Sequence, residues 1–391
     1  MKTMGLRKFI DKIKPNFQEG GKLSALHSTF DAFETFLFVP DTVTRKGSHI
    51  RDCVDLKRIM IIMVFALMPA MLFGVWNTGY QHSLAFGLDW GFWPMVGYGL
   101  CKIIPLYLIS YIVGLGIEFT SAQLRGHEVN EGYLVSGMII PLIVPIDVPL
   151  WMLAIAVAFA VIIGKEVFGG TGMNIWNPAL LARAFLFFSY PSKMSGDTVW
   201  TGGLGKGAGA FMTEGQQVVD GFSGATPLAH LSEGVDALPS VMEMFIGNIG
   251  GSVGETSVIA ILIGAFILIW TGVASWKIMV SSVLGGLAIG GLAQLCGATA
   301  VPAYYHLLLG GFMFGSVFMA TDPVTAAQTE KGKWIYGFLI GALTVTVRLF
   351  NPGYPEGMML SILLMNTFAP LIDHYVIEAS IKKNAKRAKL A

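Results

Sequence analysis

Long apolar stretches alternate with polar connections along most of the chain. Ten such stretches are visible, and several of them contain Gly or Pro. A helix needs about 20 apolar residues to cross a bilayer, and the third and fifth stretches are short for this task. The pattern predicts an all-α integral membrane protein with about ten transmembrane helices. The predicted segments are 57–77, 93–117, 132–145, 149–169, 174–190, 257–274, 276–296, 303–320, 334–350 and 357–377.

Basic residues flank these stretches unevenly. Eleven Lys and Arg residues precede position 59, and five more lie between positions 382 and 389. Because Lys and Arg are enriched in short cytoplasmic segments, both termini are predicted to be cytoplasmic, which requires an even number of spans. The long polar break at 191–256 is then predicted to lie on the outer side of the membrane. It contains seven acidic residues and only two Lys, which agrees with an outer location. A flexible linker between two halves is an alternative interpretation for most of this break.

The two halves of the chain resemble each other. Each has five apolar segments, and each has a basic residue, Lys165 or Arg348, followed by a stretch that Gly and Pro interrupt. Because five is odd, the two copies of a five-span unit must have opposite orientations in the membrane. We therefore predict two inverted five-helix repeats with broken helices, although shared membrane composition also produces such similarity. The predicted divisions are a cytoplasmic N-terminal segment (1–56), the repeats (57–190 and 257–378), an outer loop (191–256) and a cytoplasmic tail (379–391).

Composition narrows the classes of function. Hydrophobic residues make up 54% of the 391 positions and charged residues only 13%, about half of the roughly 25% that is typical of soluble domains. Cys53, Cys101 and Cys296 are far apart and form no CxxC pair, so the sequence predicts no metal site. The basic clusters flank membrane segments, which argues against binding of nucleic acid.

One short motif in the predicted outer loop indicates specific chemistry. Residues 220–226 read Asp-Gly-Phe-Ser-Gly-Ala-Thr, which by composition alone is an ordinary turn. The motif resembles the flavinylation motif of ion-pumping flavoprotein complexes, in which a flavin transferase joins FMN through its phosphate to the threonine hydroxyl. A second Gly-Ala-Thr at 297–299 lacks the upstream Asp and serves as an internal control. The motif residues are Asp220, Ser223, Gly224, Ala225 and Thr226.

Within this motif, each residue type suits an attachment site. Thr226 offers the hydroxyl that forms the phosphoester, and Asp220 is a candidate for recognition by the transferase. The small residues Gly224 and Ala225 are expected to leave room for the enzyme and the cofactor beside the acceptor.

Further segments extend the resemblance over nearly the whole chain. They are Val43-Thr44-Arg45, Ser48-His49-Ile50-Arg51-Asp52, Lys57-Arg58-Ile59-Met60, His127-Glu128-Val129-Asn130-Glu131-Gly132, Lys165-Glu166-Val167-Phe168-Gly169-Gly170-Thr171-Gly172, Asn177-Pro178-Ala179-Leu180 and Thr321-Asp322-Pro323-Val324-Thr325. With these segments the sequence is similar to the B subunit of the sodium-translocating NADH:quinone oxidoreductases. The related D subunit of Rnf-type complexes usually lacks so long an N-terminal segment, which favours the sodium-translocating family.

The resemblance implies a redox function in a bacterial inner membrane. In that family, electrons come from a partner subunit that oxidises NADH, and a second partner subunit also carries FMN. The electrons reach the covalent FMN of this subunit at the outer face. They then pass to a noncovalent riboflavin in the same subunit and to ubiquinone, coupled to export of Na⁺. We expect the same cofactors and partners here, with lipid around the spans.

Charged residues inside membrane segments are costly, which makes them candidates for function. Arg183 is expected to balance an anionic flavin or to pair with an acid such as Glu166; a purely structural ion pair is the alternative. Glu118 and Glu131 flank a predicted cytoplasmic turn and are candidates for a quinone or sodium site, with a structural or solvated role as the alternative.

A glycine cluster follows Lys165 in the first half. Gly169, Gly170 and Gly172 are expected to allow close approach of the backbone to a flavin, and a simple break in a membrane helix is the alternative.

Three functions are consistent with the sequence. The first is the flavin-carrying subunit of a sodium-pumping NADH:ubiquinone reductase. The second is the homologous subunit of an Rnf-type ferredoxin:NAD oxidoreductase, which shares the flavin and differs in its partners. The third is a flavin-free channel or transporter built on the inverted repeat, which would purify without a yellow chromophore.

Overall fold

The computed structural model of this chain describes residues 5–17, 23, 27–38, 44, 46–48, 56–125, 132–204, 218–219, 222–351 and 356–388. All regular secondary structure in these ranges is helical. Six segments there are long and apolar enough to cross a membrane, judged by length and composition. The prediction of an all-α protein with many membrane segments is therefore confirmed.

The α-helices are numbered in chain order. They are α1 (Gly5–Ile13), α2 (His27–Leu37), α3 (Leu56–Ala85), α4 (Phe92–Arg125), α5 (Tyr133–Ile143), α6 (Leu150–Ile162), α7 (Pro178–Ser189), α8 (Pro191–Met194), α9 (Val241–Ile246), α10 (Val258–Trp270), α11 (Trp276–Leu295), α12 (Tyr305–Leu308), α13 (Phe312–Phe314), α14 (Glu330–Phe350) and α15 (Gly357–Ala388). A π-helical turn at Gly315–Met319 continues α13.

Each of the ten predicted apolar segments corresponds to a helical stretch. Helices α5, α7 and α10 have 11, 12 and 13 residues, so each covers roughly half of a hydrocarbon core of about 30 Å. The eighth predicted segment is broken into α12, α13 and the π turn. Gly310 lies at this break with φ 59°, a left-handed conformation that glycine adopts without steric penalty.

Helices at corresponding positions of the two halves pack in corresponding pairs. Helix α4 packs against α6, and α6 against α7, as α11 packs against α14 and α14 against α15. The first helices of the two halves, α3 and α10, contact each other. Small residues allow close approach of α11 and α14, because a Cβ atom at Gly341 would collide with the carbonyl of Ser282. This packing agrees with two five-helix repeats.

The two halves interlock where α5 ends inside the protein. The amide of Gly254, just before the second half, donates a 2.8 Å hydrogen bond to the carbonyl of Leu142 in α5. A Cβ atom at Gly254 would lie 2.8 Å from Cβ of Leu142 and 3.0 Å from the ring of Phe314. Only glycine fits this contact without displacing its neighbours.

The predicted outer loop at 191–256 has structure of its own in its described part. It contains α8 and α9, and it contributes to a small hydrophobic core that also includes residues from the segment between α11 and α13. A flexible linker therefore does not describe this part of the chain. The core residues are Leu228, Met244, Ile249, Val301, Tyr305 and Leu309.

A buried ion pair fixes the first residues of this loop to the membrane helices. Lys102 of α4 lies 2.8 Å from Asp147, and both side chains are only 3% exposed. The second carboxylate oxygen of Asp147 accepts a 2.6 Å hydrogen bond from the amide of Gly203. The ring of His82 lies 2.8 Å from the carbonyl of Gly202. Two neighbouring loop residues are thus held by the side chains of Asp147 and His82, and Lys102 in turn holds Asp147.

Candidate functional site

Arg183 and Thr226 line the same cavity, which we call the Arg183 cavity. Its water-accessible volume is about 50 Å³, well below the roughly 300–1,000 Å³ that is usual for small-molecule sites. Arg183 comes from α7 in the first half, whereas Thr226 comes from the segment between the halves. The structure therefore brings together two residues that the sequence analysis singled out separately. The other lining residues include Trp200, Leu228, Ser252, Glu255, Thr256 and Glu356.

Arg183 pairs with two carboxylates at the base of this cavity. Its Nη1 lies 2.6 Å from Oε1 of Glu255, and its Nη2 lies 2.5 Å from Oε1 of Glu356. The Arg183 side chain is 3% exposed, against 9% for Glu255 and 15% for Glu356. The hydroxyl of Ser252 donates a further 2.5 Å hydrogen bond to Glu255. This arrangement holds a cation and two anions in a largely water-free environment.

The predicted pairing of Arg183 with Glu166 is wrong. Glu166 instead lies 3.5 Å from Arg125 and accepts a 2.6 Å hydrogen bond from Ser121, both of which belong to α4. The turn that contains Glu166 packs against α4, whereas Arg183 extends from α7 toward the second half. Nearness in the sequence therefore did not indicate nearness in space.

The segment at 222–226 has no regular secondary structure beside the cavity, and a turn begins at Thr226. Ser223 is exposed, Gly224 is buried, and Thr226 is half-buried. The amide of Ala225 donates a 3.3 Å hydrogen bond to the Ser223 hydroxyl, and the carbonyl of Thr226 accepts one of 2.9 Å from Ala229. Thr226 therefore lies between the exposed Ser223 and the Arg183 cavity.

Gly224 has a different role from the one expected. A Cβ atom at this position would collide with the carbonyl of Asp197, so the glycine allows the segment to pack against its own protein. The expected space for a modifying enzyme is not at Gly224, because protein atoms fill it. Asp220 lies outside the described residues.

The polar groups of the Arg183 cavity suit a ligand that accepts and donates hydrogen bonds, while Arg183 itself is already paired with two carboxylates. The hydroxyl oxygen of Thr256 is buried and has no hydrogen-bond partner among the described residues. Helices α10 and α15 begin at Val258 and Gly357, directly beside the lining residues, and helix N-termini carry partial positive charge. Trp200 offers an aromatic surface for a planar ring. The Thr226 hydroxyl can accept the phosphate of a flavin mononucleotide, whereas the space enclosed beside it is too small for the flavin ring.

A second cavity, which we call the Lys165 cavity, has a water-accessible volume of about 60 Å³. Two kinds of residue line this cavity. Apolar side chains from α3, α5 and the π turn form one part of the wall, and polar side chains from the stretch between α6 and α7 form another part. This division suits a flat, uncharged ring system with polar edges. The lining residues include Met60, Ile139, Phe318, Lys165, Asn174 and Asn177.

Glu118 belongs to a buried ion pair beside this cavity. Nζ of Lys165 lies 2.5 Å from Oε1 of Glu118, and the two side chains are 3% and 4% exposed. The hydroxyl of Thr171 lies 3.4 Å from the same oxygen. The solvated role considered for Glu118 is therefore wrong, because the turn after α6 folds over it. Glu131 lies outside the described residues.

Asn177 and Asp322 join the two halves at the Lys165 cavity. Oδ1 of Asn177 accepts a 3.0 Å hydrogen bond from the amide of Ala179 and so caps α7. Its Nδ2 donates a 3.2 Å hydrogen bond to Asp322. Burial raises the pKa of the Asp322 carboxyl, whereas its donors, which include Thr325 at 3.0 Å, act in the opposite direction.

The glycine cluster lies near the Lys165 cavity and apart from Arg183. Gly169, Gly170 and Gly172 have φ values of 118°, 95° and 93°, which glycine adopts far more readily than other residues. They shape the turn that carries Thr171, a lining residue of this cavity. The structure therefore separates the glycines and Arg183, which the sequence analysis had grouped around one flavin.

Several polar residues of the two cavities were not selected from the sequence. Glu255 directly precedes an apolar segment, and Glu356 follows a Gly/Pro-rich break. Positions next to apolar segments or Gly/Pro breaks are the kind at which the sequence analysis selected other charged residues. Asn174 gave no distinct signal. Within the described ranges, no group of three or more His, Cys, Asp or Glu side chains is placed to hold a metal ion.

A methyl group at Gly311 should disturb the carboxylate pair. An added Cβ atom would lie 2.5 Å from Oε1 of Glu255, the oxygen that contacts Arg183. We expect Gly311→Ala to lower the free energy of unfolding by about 1–3 kcal/mol through overpacking, measured by thermal unfolding. Gly291→Ala in α11 is the control, because an added Cβ atom there meets nothing within 4 Å. Equal unfolding temperatures for the two variants would contradict the prediction.

Comparison with known proteins identifies a family and several relatives. A family profile described as NQR2, RnfD, RnfE family matches residues 43–382. The B subunit of the Na(+)-translocating NADH-quinone reductase from Ectopseudomonas mendocina (strain ymp) is 44% identical over 417 positions, which cover 98% of this chain and 100% of that protein. The proteins of the same name from Pseudomonas paraeruginosa (strain DSM 24068 / PA7) and Klebsiella pneumoniae (strain 342) are each 43% identical with the same coverage.

Proposed function

This chain belongs to the NQR2, RnfD, RnfE family, and we propose from that premise that it is the flavin-carrying membrane subunit of a sodium-pumping NADH:ubiquinone reductase. Full-length similarity to relatives named as the B subunit of such a reductase supports this assignment over the Rnf-type homologue. The resemblance at the N-terminal segment supports it further. The other subunits of the complex are then its partners, including one that oxidises NADH and a second one that carries FMN, and a flavin transferase matures it.

The observation that carries the proposal is the common cavity of Thr226 and Arg183. The Thr226 hydroxyl is the acceptor for the FMN phosphate. The N-termini of α10 and α15 beside it offset negative charge. The Thr256 hydroxyl supplies a hydrogen bond, and Leu228 helps to exclude water. When bound, FMN supplies one- and two-electron redox chemistry, and the protein's share is positioning and electrostatic tuning.

The Lys165 cavity is the proposed site for the noncovalent riboflavin. Its apolar residues Met60, Ile139 and Phe318 suit the faces of an uncharged ring, and the amides of Asn174 and Asn177 suit its polar edges. The glycine turn at Gly169, Gly170 and Gly172 closes this site through Thr171 rather than by direct contact. Glu118, which lies beside this cavity, and Glu131 remain candidates for quinone or sodium binding.

Buried aromatic rings connect the two cavities. Gly254, next to Glu255, packs against the ring of Phe314, and the rings of Phe314 and Phe318 are 5.0 Å apart. Phe318 lines the Lys165 cavity. This continuous packing supports an electron relay between two flavins more directly than it supports a solute pathway. In the proposed topology both termini are cytoplasmic, the Thr226 segment is on the outer side of the bacterial inner membrane, and electrons move inward toward ubiquinone.

Peptide mass spectrometry tests the proposal. In protein expressed with its transferase, the peptide that contains Thr226 should carry the mass of FMN minus water, and Thr226→Val should remove that mass completely together with quinone reduction. Thr299→Val is the matched control, because it alters the second Gly-Ala-Thr of the chain and should leave the modification intact. An unmodified Thr226 in the presence of a competent transferase would refute the flavoprotein assignment and favour the flavin-free transporter.

A further inference from the structure

Helix α1 is strongly amphipathic. Phe9, Ile10 and Ile13 fall on one face of the helix, and the positions around them are charged. The helix has nine residues, and isolated helices of this length are marginal in water. Its stability therefore depends on what covers its apolar face.

Helix α2 covers only one edge of this face. Arg7, Ile10 and Lys14 share that edge, because they are three and four residues apart. Ile10 is buried there. Glu34 of α2 binds both cations, with its Oε1 3.2 Å from Nη2 of Arg7 and its Oε2 2.8 Å from Nζ of Lys14. The charges on this edge are thus neutralised within the protein.

The opposite edge of α1 is uncovered and basic. Phe9 is 60% exposed. Lys12 lies three residues further along, Lys8 lies one turn before Lys12, and both lysines are exposed. Within the described part of the chain neither lysine forms an ion pair. An exposed aromatic ring beside exposed lysines is typical of helices that lie in the surface of an anionic bilayer.

Contacts of α2 with α4 place this pair of helices at the level of the bilayer surface. Ala32 packs with Ala122 near the end of α4, and the ring of Phe33 lies 6.1 Å from that of Phe119. Helix α4 is long and apolar enough to cross a membrane, and its apolar surface continues to Leu124, which is 83% exposed one residue before the helix ends. Because lipid covers such a surface at low cost, α2 packs close to the edge of the hydrocarbon, and α1 lies about one helix diameter, roughly 10 Å, from it.

The beginning of α3 reaches the same pair of helices. Nζ of Lys57, the second residue of α3, donates a hydrogen bond to the hydroxyl of Thr35 in α2. Two membrane segments therefore meet α2 where one begins and the other ends, which agrees with a position at the membrane surface.

The size of the uncovered edge favours lipid over a protein partner. One aromatic ring buries about 150–250 Å², whereas a stable protein interface buries about 800 Å² on each partner. A bilayer surface needs no such matched area, since it takes up the ring among its chains and meets the lysines with phosphate groups.

We propose that α1 lies in the headgroup region of the bilayer and binds anionic phospholipids there. Phe9 inserts beside the acyl chains, and Lys8 and Lys12 contact the phosphates while their aliphatic stems follow the apolar boundary. Through Glu34, the opposite edge of α1 then attaches α2 to the membrane surface. This inference is independent of the flavin and of the redox function.

Site-specific photo-crosslinking in the complete complex in its native membrane tests the proposal. With Phe9 replaced by the photoreactive residue p-benzoylphenylalanine, illumination should add the mass of a phospholipid to the peptide that contains position 9. The same residue in place of Asp11, on the far side of the helix, is the control and should give no lipid adduct. An adduct of position 9 with another protein chain, or no adduct at all, would overturn the proposal.

Vesicles of defined composition test the role of the lysines. The complex with p-benzoylphenylalanine at position 9 should give at least about twofold more lipid adduct in equal parts phosphatidylcholine and phosphatidylglycerol than in phosphatidylcholine alone. Lys8→Gln together with Lys12→Gln should abolish this difference. Lys382→Gln together with Lys383→Gln is the matched control, because these lysines are exposed in the tail of α15, and it should preserve the difference. Equal yields in the two kinds of vesicle without these substitutions would contradict binding of anionic lipid.

Salt provides a check that needs no lysine variant. At about 1 M KCl the screening length falls to about 3 Å, so the preference for phosphatidylglycerol should disappear while some adduct remains through Phe9. A preference that persists at this salt concentration would show that the lysines do not act by charge, and the proposal would be wrong.

Discussion

Arg183→Ala is expected to lower the free energy of unfolding by about 3–5 kcal/mol, because it leaves two buried carboxylates without their shared counter-charge. The melting temperature of the purified complex should fall, and quinone reduction should fall with it. Covalent FMN should persist, since its acceptor Thr226 lies on a separate segment. Thermal unfolding, peptide mass spectrometry and turnover on the same preparation measure the three effects.

An exposed ion pair provides the control for Arg183. Lys382 lies 2.7 Å from Glu378, with side chains 70% and 43% exposed, and such pairs contribute about 0–1 kcal/mol. Lys382→Ala should therefore leave the melting temperature almost unchanged. If Arg183→Ala were equally mild, the two carboxylates would not depend on Arg183, and its role as the central charge of the cavity would be wrong.

Lys165→Met is the second variant for which we expect a large effect. It removes the partner of Glu118 in a pair whose side chains are 3% and 4% exposed, so we again expect a loss of about 3–5 kcal/mol. Because Lys165 lines the proposed riboflavin site, the riboflavin released by acid precipitation should fall. The FMN bound to Thr226 should not fall, since it is attached at the other cavity.

The double variant Lys165→Met with Glu118→Gln separates charge from structure. Removal of both charges avoids an unpaired buried carboxylate, and replacement of both partners is much milder than loss of one. Most of the stability should therefore return. A double variant as unstable as Lys165→Met would contradict the ion-pair explanation and indicate that Lys165 acts through its packing.

The membrane segments could be predicted because hydropathy acts along the sequence. A long apolar run such as the one in α4 has one stable conformation in lipid. This conformation is a helix, in which the backbone groups form hydrogen bonds within the segment. The breaks were also visible, since Gly and Pro mark them. Helix ends were less predictable: α3 continues to Ala85 and α15 to Ala388, well past their apolar runs, because polar helical turns extend outside the apolar region.

The partners of buried charges could not be predicted, because they depend on how the halves pack. Arg183 was recognised as a buried cation, yet its acids come from the segments before α10 and α15 rather than from nearby Glu166. Glu118 was predicted to flank a cytoplasmic turn, and its partner Lys165 was not predicted. Thr226 was found by a short motif, but only the fold brings it beside Arg183. Sequence identified the charged residues, and tertiary structure determined their partners.

The hydrogen bond between Gly254 and Leu142 constrains how this protein enters the membrane during its synthesis. Helix α5 has 11 residues, about 16 Å at the usual rise, so it cannot reach across a bilayer alone. Its Leu142 carbonyl is satisfied by an amide that the ribosome adds only near the end of the segment between the halves. In lipid, an unsatisfied backbone group costs several kcal/mol. The first half is therefore an incomplete insertion unit, because one of its carbonyls finds its partner only when the end of the following segment has been made.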